Sequence, residues 1–244
     1  MSLLAGSLLL PDWPAPANVR ACVSSRSGGV SQGPFASLNL GDHVGDDPVA
    51  VAENRRRLTA LHTIEAAWLR QVHGTVVVKA NPLVSAEADA SWSSTPRVAC
   101  TVMTADCLPA LFTDRAGTRV AAAHAGWRGL ANGVLEATVA SLACAPEEVL
   151  VWLGPAIGPQ AFEVGEEVRE VFTSHHAAAS TAFAPGARPG KLLADIYALA
   201  RLRLAAIGVT AVYGGGLCTL TDDRWFSYRR AAQTGRMASL VWLV

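Results

Sequence analysis

Three side chains of the kinds that bind transition metals stand at the ends of apolar runs. They are His73 in Gln71-Val72-His73-Gly74, Cys107 in Thr104-Ala105-Asp106-Cys107-Leu108-Pro109, and His124 in His124-Ala125-Gly126-Trp127-Arg128-Gly129. Two imidazoles and one thiolate make a donor set for an open zinc site, in which a fourth position is left for water or substrate. Zinc there would act as a Lewis acid or acidify a bound water. Copper also accepts nitrogen and sulfur ligands. The positions follow no short pattern such as HExxH, so alternatives stay open. Cys107 is also readable as a buried, inert thiol, or as a nucleophile with His124 as base and no metal. His73, taken alone, is more often a satisfied polar residue than a ligand.

The elements around these residues must deliver them. Val19 to Ser24 reads as a strand, followed by the glycine- and hydroxyl-rich turn Arg26-Ser27-Gly28-Gly29-Val30-Ser31. Asp46 or Asp47 can cap a helix from about Val49 to Leu61, with Pro48 in its first turn. Strands over Ala67 to Val72 and Thr75 to Ala80 flank His73, and Asn81 to Pro96 reads as a polar loop. Asp89 in that loop either orients a ligand or caps a turn.

Arg97 to Met103 is a continuous apolar run, as expected of a strand covered on both faces, and it delivers Asp106 and Cys107 just past its end. Pro109 argues against a central-strand position for the cysteine itself. Strands Ala110 to Thr113 and Thr118 to Ala123 then lead to His124, and a helix follows from about Leu130 to Leu142 whose first amides could meet an anion beside Arg128. Further on, the pattern predicts strands at Val149 to Leu153, Thr210 to Tyr213 and Met237 to Leu243, and helices at Glu166 to Phe172 and about Leu192 to Ile207. Alternating strands and helices without a dividing linker give one α/β domain over residues 1–244.

Composition narrows the function classes. Twenty basic and twenty acidic residues cancel, which leaves no electrostatic footprint for nucleic acid or an anionic membrane. Small-molecule substrates are the expectation. No run reaches the roughly 18 apolar residues of a membrane helix, and Met1 to Leu10 lacks a basic stretch and a cleavage site, so a cytoplasmic location is expected. Five scattered cysteines without CxxC spacing argue against a disulfide framework or a structural zinc knuckle.

The motifs around His73, Cys107 and His124, together with Cys218-Thr219, Phe226-Ser227-Tyr228-Arg229-Arg230 and Thr234-Gly235-Arg236, closely resemble the YfiH-type family. That family carries two labels, purine nucleoside phosphorylase and "polyphenol oxidase, laccase domain". The likeness runs from Arg26 to the C-terminal strand. It implies mixed sheets in an α/β/β/α layered arrangement, similar to deamidating toxins that use a Cys/His pair. It implies zinc held by His73, Cys107 and His124, with copper possible. It also implies phosphorolysis of adenosine, inosine and methylthioadenosine, with deamination of adenosine as a further activity; nucleoside and phosphate would be the partners. Within that frame Asp106 is the first candidate acid/base, and Arg128 and Arg229 are candidate phosphate partners, each equally readable as a salt-bridge residue. Tyr228 and Trp127 could stack on a purine or serve packing. A multicopper oxidase conventionally needs many histidines in HxH patterns, and the six histidines here include none.

Overall fold

The structure, a computed structural model, describes residues 7–244. The expectation drawn from Met1 to Leu10 falls mostly on residues 1–6, which lie outside the described residues.

Two large sheets stack face to face and carry helices on their outer sides. The five-stranded sheet has the order β1 (Leu8–Leu9), β2 (Val19–Ser24), β14 (Met237–Leu243), β6 (Val98–Thr104) and β3 (Glu65–Ala67). The six-stranded sheet has the order β13 (Ala211–Gly214), β9 (Val149–Leu153), β7 (Leu108–Asp114), β8 (Val120–Ala125), β5 (Ala90–Ser93) and β4 (Val77–Lys79). A small antiparallel sheet joins β10 (Glu163–Gly165), β12 (Lys191–Ala194) and β11 (Phe183–Pro185). The parallel pairs β3/β6, β4/β5 and β9/β13 sit among antiparallel ones, so both large sheets are mixed.

Burial explains the layering. Val23, Cys100 and Val241 of the five-stranded sheet share one buried cluster with Leu111, Val120, Ala122 and Trp152 of the other. On the far side of the five-stranded sheet, α1 (Pro48–His62) sets Leu58 against Ala66, Ala99 and Leu240. Asp47 caps this helix by accepting from the Val49 amide, and Thr63 ends it in the left-handed region. On the far side of the six-stranded sheet, α2 (Trp127–Asn132), α3 (Val134–Ser141), α4 (Glu166–His175) and α5 (Ile196–Ala206) lay Leu130, Leu135, Phe172 and Leu199 over Ala110, Phe112 and Ala121. This is the α/β/β/α arrangement expected above. No helix among the described residues is long and apolar enough to cross a membrane.

Several boundaries differ from those read in the sequence. The polar loop Asn81 to Pro96 contains β5, whose small residues Ala90 and Ser91 are buried between neighbouring strands. The long helix expected from Leu192 is a strand followed by a helix. Asp195 divides them, because its carboxylate accepts from the Tyr197 and Ala198 amides and so starts α5. The helix expected over Leu130 to Leu142 breaks at Gly133, with φ 101°, into the six-residue α2 and the eight-residue α3. The strand expected over Ala67 to Val72 ends at Ala67, since beyond it the chain leaves one sheet and crosses to the other.

Candidate metal and substrate cleft

Strand periodicity brings two of the three metal-ligand candidates to one side. In β8, Val120 and Ala122 face the other sheet while Ala121 and Ala123 face the helices, which puts His124 on the inter-sheet side near the strand's end. In β7, Leu111 faces the same way, and Cys107 keeps its parity one residue before the strand begins. Pro109 pairs with His124 across these strands. His73 arrives from the crossing segment between β3 and β4.

The donor atoms of His73, Cys107 and His124 all lie within 4.8 Å of one another. His73 Nε2 is 3.8 Å from Cys107 Sγ, and the two imidazoles meet edge to face at 4.7 Å between centroids. Tetrahedral zinc with bonds of about 2.0–2.3 Å needs nitrogen and sulfur roughly 3.6 Å apart. The residues present therefore fit such an ion.

A carboxylate behind the donors holds them. Asp89, fully buried, has Oδ1 2.8 Å from His124 Nδ1, so the ring donates there and keeps Nε2 for the ion. The same oxygen accepts from the His73 amide at 2.9 Å, and Oδ2 accepts from Gly74 at 2.6 Å and Val72 at 3.2 Å. This cradle fastens a loop in which His73 takes φ 61°, in the left-handed region that L residues seldom adopt. The contacts of Asp89 fit both readings at once: it orients the His124 ring and caps the turn through the Val72, His73 and Gly74 amides.

Electrostatics follow the same contacts. Burial alone would raise the Asp89 carboxyl, but hydrogen bonds from His124, Gly74 and Val72 hold it below the usual carboxylate range. Burial alone would raise the Cys107 thiol, yet the charge of His124 and hydrogen bonds with both histidines bring it below its ordinary value. Burial would lower His124, and Cys107 and Asp89 together raise it. The shift favours the thiolate of Cys107, the form that ligates a metal. By contrast, burial pushes the Cys22 and Cys100 thiols up to about 12, the behaviour of inert core residues.

Gly126 owes its identity to space. A Cβ there would stand 2.7 Å from His73 Cδ2 and 3.1 Å from Cys107 Sγ. Gly126→Ala is therefore expected to displace a donor and weaken metal binding by about tenfold or more, on the scale of losing an outer-shell contact, with little change in melting temperature. Competition against a chromogenic chelator measures it; wild-type affinity in the folded variant would contradict the crowding argument.

The group opens into a cleft of about 460 Å³ that Asp106, Arg128, Tyr228 and Arg229 also line. Asp106, with φ 87°, accepts from Thr219 Oγ1 at 2.6 Å and from the Arg229 amide at 2.7 Å. It ties the C-terminal segments to the Cys107 loop. The Arg229 guanidinium reaches the Glu163 carbonyl at 3.2 Å, and that of Arg128 lies over the Trp127 ring at 4.5 Å. Tyr228 is 56% exposed. Because α2 has only six residues, its first amides form a single short turn rather than the start of a long helix. Arg236 and His43 also line the cleft. Thr234-Gly235-Arg236 had stood out only as a motif, and nothing in the sequence around His43 marked it.

Known proteins match the chain over nearly its full length. Residues 20–244 match the profile of a family described as "Multi-copper polyphenol oxidoreductase laccase". A protein of Pseudomonas aeruginosa named purine nucleoside phosphorylase is 69% identical over 236 residues, covering 96% of this chain and 98% of its own. One of Escherichia coli, purine nucleoside phosphorylase YfiH, is 57% identical over 242 residues, covering 97% and 99%. The crystal structure of a Neisseria meningitidis protein assigned to DUF152 superposes with a TM-score of 0.94 at 56% identity, covering 97% of this chain and 99% of that one.

Proposed function

Because the chain belongs to the YfiH-type family, whose profile carries the multi-copper polyphenol oxidoreductase laccase description, we propose that it is a metal-dependent purine nucleoside phosphorylase. The observation that carries this reading is the convergence of His73, Cys107 and His124 at a cleft whose volume falls in the range of small-molecule sites. Adenosine, inosine and methylthioadenosine are the proposed nucleosides, with deamination of adenosine to inosine as a second activity. Zinc is the proposed ion and copper the alternative.

In phosphorolysis a phosphate oxygen bonds to the anomeric carbon as the bond from that carbon to the purine nitrogen breaks. His73, Cys107 and His124 would hold the ion, which supplies Lewis-acid stabilisation of developing negative charge. Tyr228 and Trp127 offer planar surfaces to the base. Arg128 and Arg229 offer paired donors to phosphate oxygens. Asp106 fixes where Arg229 begins and positions it, a role its engaged oxygens suit better than proton transfer.

Two other readings are kept by specific features. The closeness of Cys107 and His124 would also suit a metal-free hydrolase with Cys107 as nucleophile and His124 as base. The family description suggests a copper phenol oxidase. Among the described residues, however, His73, Cys107 and His124 form the one group of three or more such side chains able to share an ion, whereas a multicopper centre needs several.

Product analysis on the three nucleosides, with and without phosphate and with and without a chelator, tests the proposal. Free base with ribose 1-phosphate, only when phosphate and metal are present, is the expected result. Base release that ignores phosphate would defeat the phosphorylase reading. Turnover that survives thorough metal removal would favour the cysteine hydrolase. Phenol oxidation with several coppers per chain would favour the oxidase.

A further inference from the structure

The polar groups lining the cleft are mostly committed to the protein itself. The Gln71 side chain donates to the Met103 carbonyl at 2.8 Å and accepts from the Met103 amide at 2.7 Å. Asp106 holds Thr219 and Arg229, and Arg229 leans on the Glu163 carbonyl. Arg236 differs. Its half-buried guanidinium reaches only the carbonyls of Thr234 at 3.0 Å and Gly235 at 3.1 Å, both through one terminal nitrogen. Among the described residues no carboxylate pairs with it, although a guanidinium out of bulk water ordinarily recruits one.

The backbone that carries Arg236 is fixed. Its amide donates to Asn39 Oδ1 at 2.8 Å, and its carbonyl accepts from the Leu40 amide at 3.1 Å. Gly41 leaves room for the stem, since a Cβ there would come within 2.7 Å of Arg236 Cγ. The residue stands immediately before β14, where Met237 pairs with Thr104, so Arg236 and Thr104 share one end of the five-stranded sheet. Thr104 also lines the cleft, and its buried hydroxyl has no hydrogen-bond partner among the described residues. Arg236 lines the same cleft as His73, Cys107 and His124.

We infer that Arg236 anchors a phosphate oxyanion in the cleft, with Thr104, at the same end of the five-stranded sheet, as a secondary contributor. An unpaired guanidinium with a free edge presents two parallel donors, the geometry that phosphate oxygens accept. The assignment rests on the phosphorylase reading only for which phosphate it takes. The oxyanion is either inorganic phosphate serving as co-substrate or a phosphoryl group carried on the nucleoside.

The test compares the wild type with Arg236→Gln, Arg236→Lys and Thr104→Val. Binding of inorganic phosphate and, separately, of adenosine monophosphate is followed by calorimetry, and KM for phosphate and for nucleoside is measured in the same preparations. The expected result is an affinity loss of about ten- to hundredfold in Arg236→Gln for the ligand bound, the effect of one charge-assisted contact. Arg236→Lys should recover part of it, and Thr104→Val should lose less. Loss confined to inorganic phosphate, with KM for phosphate raised and KM for nucleoside nearly unchanged, assigns the co-substrate. Loss confined to the monophosphate assigns the substrate's own group. Equal phosphate and monophosphate affinities in the wild type and a folded Arg236→Gln would overturn the inference while leaving the phosphorylase reading standing. So would a wild type that binds neither anion. Arginine-dependent binding in a protein that releases no base would keep the subsite and defeat that reading instead.

Discussion

Cys107→Ala is expected to lose metal and turnover together. The thiolate is one of three donors within 4.8 Å of one another, and its removal leaves two imidazoles facing an unfilled position. Losing an outer-shell partner of a metal typically costs about 10–100-fold in affinity or activity, so removing a donor should cost more than about a hundredfold in both. The fold should persist, because Cys107 lies just outside β7 and contributes to none of the buried clusters. Metal analysis after dialysis and nucleoside turnover, run on the same sample, give the comparison. Stoichiometric metal with undiminished turnover in the variant would remove the site from consideration. Chelation of the wild type separates a ligand from a nucleophile, since only the latter would work without an ion.

Asp89→Asn should produce the second large effect, and on two observables. Each carboxylate oxygen accepts twice, Oδ1 from His124 and His73 and Oδ2 from Gly74 and Val72. An amide turns one of those acceptors into a donor, which leaves two N–H groups facing it. At roughly 1–3 kcal/mol for each of the two buried groups left unpaired, a loss of about 2–6 kcal/mol of stability is expected. Metal affinity should fall about 10–100-fold as His73 and His124 lose their orientation. The pH dependence has a definite sign. The folded Asp89 carboxyl titrates below its unfolded value, so its contribution is complete at neutral pH and is lost as pH falls through about 4 and below. The stability gap between wild type and variant should therefore narrow toward acid. Denaturant titrations across that range would show it, and a gap that stays constant would mean that the carboxylate's charge is not what holds the cradle.

How much of this was legible in the chain depends on how locally each feature is determined. Val149–Leu153 and Met237–Leu243 are strands at the boundaries that their sequences suggest, because strands covered on both faces read as largely apolar runs; Val19–Ser24 also keeps its expected bounds, though Arg20 breaks its apolar run. β5 escaped because Ala90 and Ser91 are small enough to be buried without looking hydrophobic. β12 escaped because Leu192 and Leu193 continue the helical spacing of the residues after Asp195, and only pairing with β10 and β11 makes them extended. The metal donors were nameable by type. Their convergence was not, since His73 gains its place from Asp89, a carboxylate 16 residues away that a loop and a strand fold back toward it. Arg236 shows the same limit. What marks it is a fixed backbone and a guanidinium held on one edge only, and both are properties of the folded chain.

Cys107 and His124 are borne at the rim of the six-stranded sheet, Arg236 and Thr104 at the rim of the five-stranded one, and His73 on the irregular segment crossing from one to the other. On the proposed reading, the reach from ion to oxyanion would be set by how thickly two plates stack. Side chains such as Trp152 and Val102, remote from any reacting atom, act as spacers in that layer. Substrate size becomes a property that the scaffold can tune while the donors stay untouched.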